Sequence, residues 1–209
     1  MTKRYYKRLA QLPDGTDRLE SEVSLPVSEE QLCGFLDENF IGGGMKPAVG
    51  YLILKHGLWS EAMNIAMRAE HHLAFRASWA VEWAYEQCPE GELPEWFADR
   101  MTADFASSTN GSLHRVYAKM LLDQMRFGDF APSDTQAELL AEKCFDLIIN
   151  PSTRGAVQMW CMEILAHLAP RADWIAEALT ATARQISEQP DCPPGMTMAC
   201  RRVFQHLRQ

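Results

Sequence analysis

The chain has 209 residues, 47% hydrophobic and 23% charged, which excludes bulk disorder and leaves enough length to bury a substantial core. Twenty Lys and Arg against 28 Asp and Glu give a net charge of −8, the reverse of the cation surplus with which duplex-binding proteins displace counterions. No apolar run reaches the roughly 18 residues of a membrane span and none follows the basic start, so neither a transmembrane helix nor a secretory signal is expected, and the expected location is the cytoplasm with six reduced cysteines.

In chain order, residues 1–27 read as an N-terminal extension, short-helical or irregular. Its first segment, Lys3-Arg4-Tyr5-Tyr6-Lys7-Arg8, interleaves basic and aromatic side chains. Residues 1–18 hold five cations and two carboxylates, net +3 against −11 for the rest. Such a segment can contact nucleic acid or an anionic surface; attraction to the protein's own acidic body is the favoured reading. Ser28-Glu-Glu-Gln31 is a capping-box pattern, in which hydroxyl and amide satisfy free backbone N–H groups. Gly42-Gly-Gly-Met-Lys46 exposes backbone N–H groups that could cradle a phosphate, but no Ser or Thr follows the lysine, so it reads as a connector. Residues 45–56 are predicted helical. The strand-like run Val49–Leu54 is interrupted by Gly50, and Lys55-His56-Gly57 is a helix-end signal.

Glu61–Met67 and Leu73–Glu86 form the next helix pair, with Ser60 as cap and Cys88-Pro89 as stop. Pro94–Phe105 and Leu113–Met125 follow, joined at Asn110-Gly111. A second capping box, Ser133-Asp-Thr-Gln136, opens a helix marked by Ala137, Leu140, Ala141, Cys144 and Ile148. Asn150-Pro151 and Pro170 bracket Val157, Trp160, Cys161, Ile164, Leu165 and Leu168, whose steps place them on one helical face and predict Trp160 in the core. Ile175, Ala178, Leu179 and Ile186, then Met196, Ala199, Cys200, Val203, Phe204 and Leu207, mark the last two helices.

These helices pair as 60–88, 94–126, 133–168 and 171–208. Arg76, His114, Gln158 and Thr197 each stand seven residues before a large apolar residue (Trp83, Leu121, Leu165 and Phe204), at steps of 38, 44 and 39. That spacing is near the repeat of about 40–47 residues in HEAT and armadillo units, whose helix pairs bury a continuous core only by stacking. The expected fold is all-α: an α-α superhelix, a right-handed stack of antiparallel helix pairs. It is read as one repeat domain over 1–209, with the helix pairs in 28–208.

Over about residues 45–208 the chain resembles HEAT-like repeat proteins. In those units an acidic residue in the turn precedes an arginine by six positions. Glu70 and Arg76 fit; His114, Gln158 and Thr197 depart from the arginine. Asn150–Pro170 is similar to small bacterial HEAT-like proteins of unknown function, for some of which an adenylosuccinate lyase activity is claimed. That lyase signature, a serine-rich loop with Met-Pro, lysine and Asn-Pro, has no counterpart here. Gly42-Gly-Gly-Met-Lys-Pro47 lacks the serine and the order, and such lyases are much longer chains.

The resemblance implies a scaffold whose second helices line a concave face and hold a protein or peptide, with Arg76, His114, Arg115 and Gln158 as candidate binding residues. The alternative it implies is a HEAT-like nucleic-acid-binding protein or DNA glycosylase-like enzyme, but Trp79, Trp83 and Trp160 sit at core spacing and nucleic acid is disfavoured. No catalytic residue, cofactor or metal is expected. His71 and His72 beside Glu70 diverge by about 100° on a helix and make a poor chelate. Glu163 and His167, at i and i+4, read as a solvated flank. Self-association is left open.

Overall fold

The computed structural model describes residues 12–38, 45–68, 71–128 and 130–207. The Lys3–Arg8 segment, the Gly42–Gly44 connector and Glu70 lie outside them. Every regular element among the described residues is helical: α1 (Thr16–Glu22), α2 (Glu29–Glu38), α3 (Met45–His56), α4 (Trp59–Ala66), α5 (His71–Gln87), α6 (Phe97–Ser107), α7 (Gly111–Phe127), α8 (Asp134–Ile149), α9 (Gly155–Leu168), α10 (Asp173–Ser187) and α11 (Pro194–His206). A short 3-10 turn, Ala169–Arg171, separates α9 from α10. No helix among these residues is long and apolar enough to cross a membrane.

Local chemistry explains most boundaries. Ser133 accepts from the Gln136 backbone N–H while the Gln136 side chain accepts from the Ser133 N–H, closing the box that starts α8. At α2 only half of the pattern forms: Ser28 accepts from Gln31 N–H, but the Gln31 side chain turns away to donate to the Glu22 carbonyl. Asn110 accepts from Ser112 N–H and begins α7. Gly57, at φ 67°, takes the left-handed turn that ends α3. Helix α4 starts earlier than expected, at Trp59, with Leu58 before it and no side-chain cap, so Ser60 falls inside the first turn.

The chain divides into two compact units: residues 1–100 with 108–116, and residues 101–107 with 117–209. In the first, α3 packs on α5 and α1, α4 packs on α5, and α2 packs on α4 and α5. Leu32, Leu36, Leu52, Ile53, Met63, Ile65 and Phe97 are fully buried there. Glu20 of α1 holds Lys55 and His56 at the end of α3. The Lys55 hydrogen bond, and then that of His56, keep the Glu20 carboxyl below its usual value of 4.5 against the opposing cost of burial. A depressed carboxyl contributes stability above its unfolded pKa and loses it as the pH falls through the folded value. Glu20→Gln should therefore lower the thermal midpoint at pH 7, and the gap between variant and parent should close at pH 3.

In the second unit, α9 packs on α8, α10 and α11, and α10 packs on α11. Leu140, Cys144, Cys161, Ile164, Leu165, Leu179 and Val203 form the core. Trp160 corrects the sequence reading, because it is only half-buried. Met162 and Ala166 are buried as well, which turns the covered arc of α9 toward them and leaves Trp160 at its rim.

Side chains also join helices two positions apart in the chain at a steady separation. Glu29 of α2 accepts from Asn64 of α4 (35 residues on), and Asn64 in turn accepts from Arg100 of α6 (36 on). In the second unit Arg126 of α7 meets Glu163 of α9 (37 on) and Glu163 meets Arg202 of α11 (39 on), while Asp134 of α8 meets Arg171 of the 3-10 turn ahead of α10 (37 on). The even-numbered helices from α4 onward begin at Trp59, Phe97, Asp134 and Asp173, in steps of 38, 37 and 39.

Candidate functional site

The residues that the repeat register aligned share a backbone role. Arg76 donates to the carbonyls of Leu36 (2.8 Å) and Asp37 (3.0 Å) at the end of α2, and to the Asp37 carboxylate (3.1 Å). The His114 ring nitrogen meets the Ser108 carbonyl just past α6 at 2.9 Å, and the residue is only 3% exposed. Gln158 donates to the Ile148 carbonyl at the end of α8, also at 2.9 Å. The last four carbonyls of a helix lack intrahelical donors, and each of these side chains supplies one at or just past a helix end: His114 and Gln158 from the next helix in the chain, Arg76 from the third helix on. Arg115 is exposed. Thr197 instead donates within its own helix, to the Pro193 carbonyl one turn back. Gln158→Leu should cost about 1 kcal/mol in a denaturant titration, because it leaves the Ile148 carbonyl without that donor.

Charge divides by helix parity. Even-numbered helices carry thirteen carboxylates, three Lys or Arg and no histidine. Odd-numbered helices carry seven carboxylates, nine Lys or Arg and all six histidines. The contrast persists inside the second unit: seven carboxylates and two cations on its even-numbered helices, two carboxylates and four cations on its odd-numbered ones.

At the centre of that second odd-numbered set is Glu163. Its carboxylate takes Arg126 of α7 at 2.6 Å and Arg202 of α11 at 3.5 Å. Its side chain is 16% exposed, while Arg126 is 33% and Arg202 63% exposed. This corrects the reading of Glu163 as a solvated flank. His167, one turn on, is held below its usual pKa first by burial and then by the nearby charges of Arg126 and His206. A Cβ added to Gly195 would stand 3.2 Å from Met159 Sδ. The neighbours Met159–Gly195, Glu163–Arg202 and His167–His206 rise together, so α9 and α11 run in the same direction.

The arc of α9 left open holds Met159, Trp160, Glu163 and His167. Trp160, Glu163 and His167 stand at i, i+3 and i+7, one stripe of a helix. The arrangement can bind charge and bury an aromatic contact. Among the described residues no group of three or more His, Cys, Asp or Glu is placed to hold a metal ion. His72 lies 3.3 Å from Asp37, while His71 and Glu70, its expected companions, have no described side chains.

The Glu163 cluster escaped the sequence reading, although a signal was present. Arg126 and Arg202 stand about one repeat on either side of Glu163, and marking charge at that spacing would have found them. No protein family, curated protein or solved structure matches the chain.

Proposed function

We propose that the chain is a HEAT-like α-solenoid that serves as a binding scaffold, presenting its odd-numbered helices to a protein or peptide partner. Support for the stacked architecture comes from the side-chain bonds at separations of 35 to 39 residues between helices two apart. In a solenoid each unit touches only its neighbours, so contacts recur at the repeat length. The observation that carries the binding role is the segregation of charge by parity, which extends beyond the residues that tie helices together to exposed ones such as Arg115 and Arg201.

Site-specific photo-crosslinking tests it. A photoreactive residue at Met198 on α11 (48% exposed) should capture a partner identifiable by mass spectrometry. The same residue at Leu139 on α8 (41% exposed) should not. Capture through Leu139 alone would overturn the proposal, and a chain-to-chain adduct through Met198 would make the partner a second copy.

The nine cations on odd-numbered helices give a nucleic-acid reader or glycosylase-like enzyme a specific basis. Against it stand the net charge of −8 and the carboxylate of Glu163 between the two arginines. Duplex binding by counterion release requires cations facing phosphates without such internal neutralisation. Generic duplex DNA should show no submicromolar binding at physiological salt in an anisotropy titration; tight, salt-sensitive binding would replace the scaffold reading.

A further inference from the structure

We infer that the face formed by α7, α9 and α11 in the second unit takes an acidic peptide segment, with Arg126 and Arg202 as its carboxylate anchors and Glu163 as their internal competitor. This rests on the scaffold reading above and specifies the partner's chemistry.

Two guanidinium groups from different helices converge on one carboxylate. Helices α7 and α11 therefore hold their arginines at a spacing that one carboxylate can span. Arg202 makes a single long contact, 3.5 Å, and its side chain is 63% exposed. A guanidinium has five N–H donors arranged to grip a carboxylate with two of them, so donors remain for a second acceptor. Lys119 and Arg201 add positive charge to the same helices, and Asp123 is their other carboxylate. His167 and His206 supply further donors beside the arginines. Half-buried Trp160 adjoins Glu163 along α9, and tryptophan and arginine are the residue types that dominate binding energy at protein interfaces.

The net charge of −8 opposes an acidic ligand only over distances that salt screens. At physiological ionic strength the Debye length is about 8 Å, so the nearest charges decide binding. Carboxylates on the even-numbered helices set the overall sign, while the partner meets the odd-numbered helices. The same polarity keeps the segment off the even-numbered face, which gives the interaction its orientation.

The test is fluorescence anisotropy of the full chain with a labelled sixteen-residue Glu/Gly/Ser peptide, its Gln/Gly/Ser counterpart, and single-stranded DNA of equal length. The Glu peptide should bind at least tenfold tighter than the Gln peptide, and its affinity should fall with added salt. R126Q/R202Q should weaken it about tenfold or more, E163Q should tighten it several-fold by freeing both arginines, and E138Q/E142Q on α8 should leave it unchanged. Circular dichroism melts check that each variant folds. If the double arginine variant does not fold, the gain in E163Q against the unchanged E138Q/E142Q decides.

Equal binding of Glu and Gln peptides, or no gain in E163Q, overturns the inference. DNA bound more tightly than the Glu peptide, with the same loss in R126Q/R202Q, assigns the face to nucleic acid instead. Captured partner at Met198 together with an inert Glu peptide would sink the acidic occupant and leave the scaffold standing. Failure of both would sink the two together.

Discussion

Phe97→Ala is expected to lower unfolding free energy by about 3–5 kcal/mol, the usual cost of deleting a buried aromatic. Phe97 is fully buried at the first residue of α6. Its ring meets Trp59 of α4 edge-on at 5.2 Å and stacks on Tyr85 of α5 at 6.0 Å. Both neighbours are themselves buried, and each is anchored on a different helix, so neither can swing in to fill the space. The cavity then persists, and cavity volume adds to the lost transfer energy. Against the roughly 5–15 kcal/mol that hold most domains folded, this is a large fraction. Phe97→Leu keeps most of the volume and should cost less than half as much. The measurement is a urea titration of all three proteins; an alanine variant that unfolds with the parent would remove Phe97 from the core.

The sequence made helices legible where periodicity and capping agreed. The Ser133–Gln136 box, the α9 and α11 stripes and the Gly57 stop each rest on interactions within a few residues, and local signals of that kind survive without knowledge of the fold. Val49–Leu54 is a harder case: the run is strand-like but interrupted by Gly50, so it reads as helix, as α3 is; Gly50 itself marks a place where α3 runs close to α5. What could not be read was which neighbour each side chain meets. Arg76 fits the six-residue spacing to Glu70, but in the structure its guanidinium reaches the α2 carbonyls, 39 and 40 residues away. Cysteine burial does not follow the local sequence either. The helical Cys33 is only half-buried and accepts from Arg68, while Cys88, ahead of a proline, is 2% exposed. A wheel locates the mean direction of burial; it does not say how wide the covered arc is, which is why Trp160 was placed inside it. Glu163 failed for the same reason, since a carboxylate on a helix flank is solvated unless a neighbouring helix brings an arginine, and that neighbour lies about 38 residues off.

Gly50→Ala should destabilise the protein by about 1–3 kcal/mol, the range for overpacking a filled interior. Propensity alone argues the other way, because alanine is favoured over glycine inside a helix by about 1 kcal/mol. The close approach of α3 to α5 reverses the sign. An added Cβ would stand 2.6 Å from Cε3 of Trp83 and 3.0 Å from the carbonyl oxygen of Ala80. The indole could rotate away at some cost in packing. The carbonyl cannot, because it belongs to the hydrogen-bonded ladder of α5, so the two helices must part. Trp83→Leu in the Gly50→Ala background should thus recover only part of the loss. Gly34, in α2, is the control: nothing lies within 4 Å of its added Cβ, so Gly34→Ala should stabilise by up to about 1 kcal/mol. If Gly50→Ala raised the denaturation midpoint as Gly34→Ala is expected to, the contact between α3 and α5 would have to be looser than 2.6 Å implies.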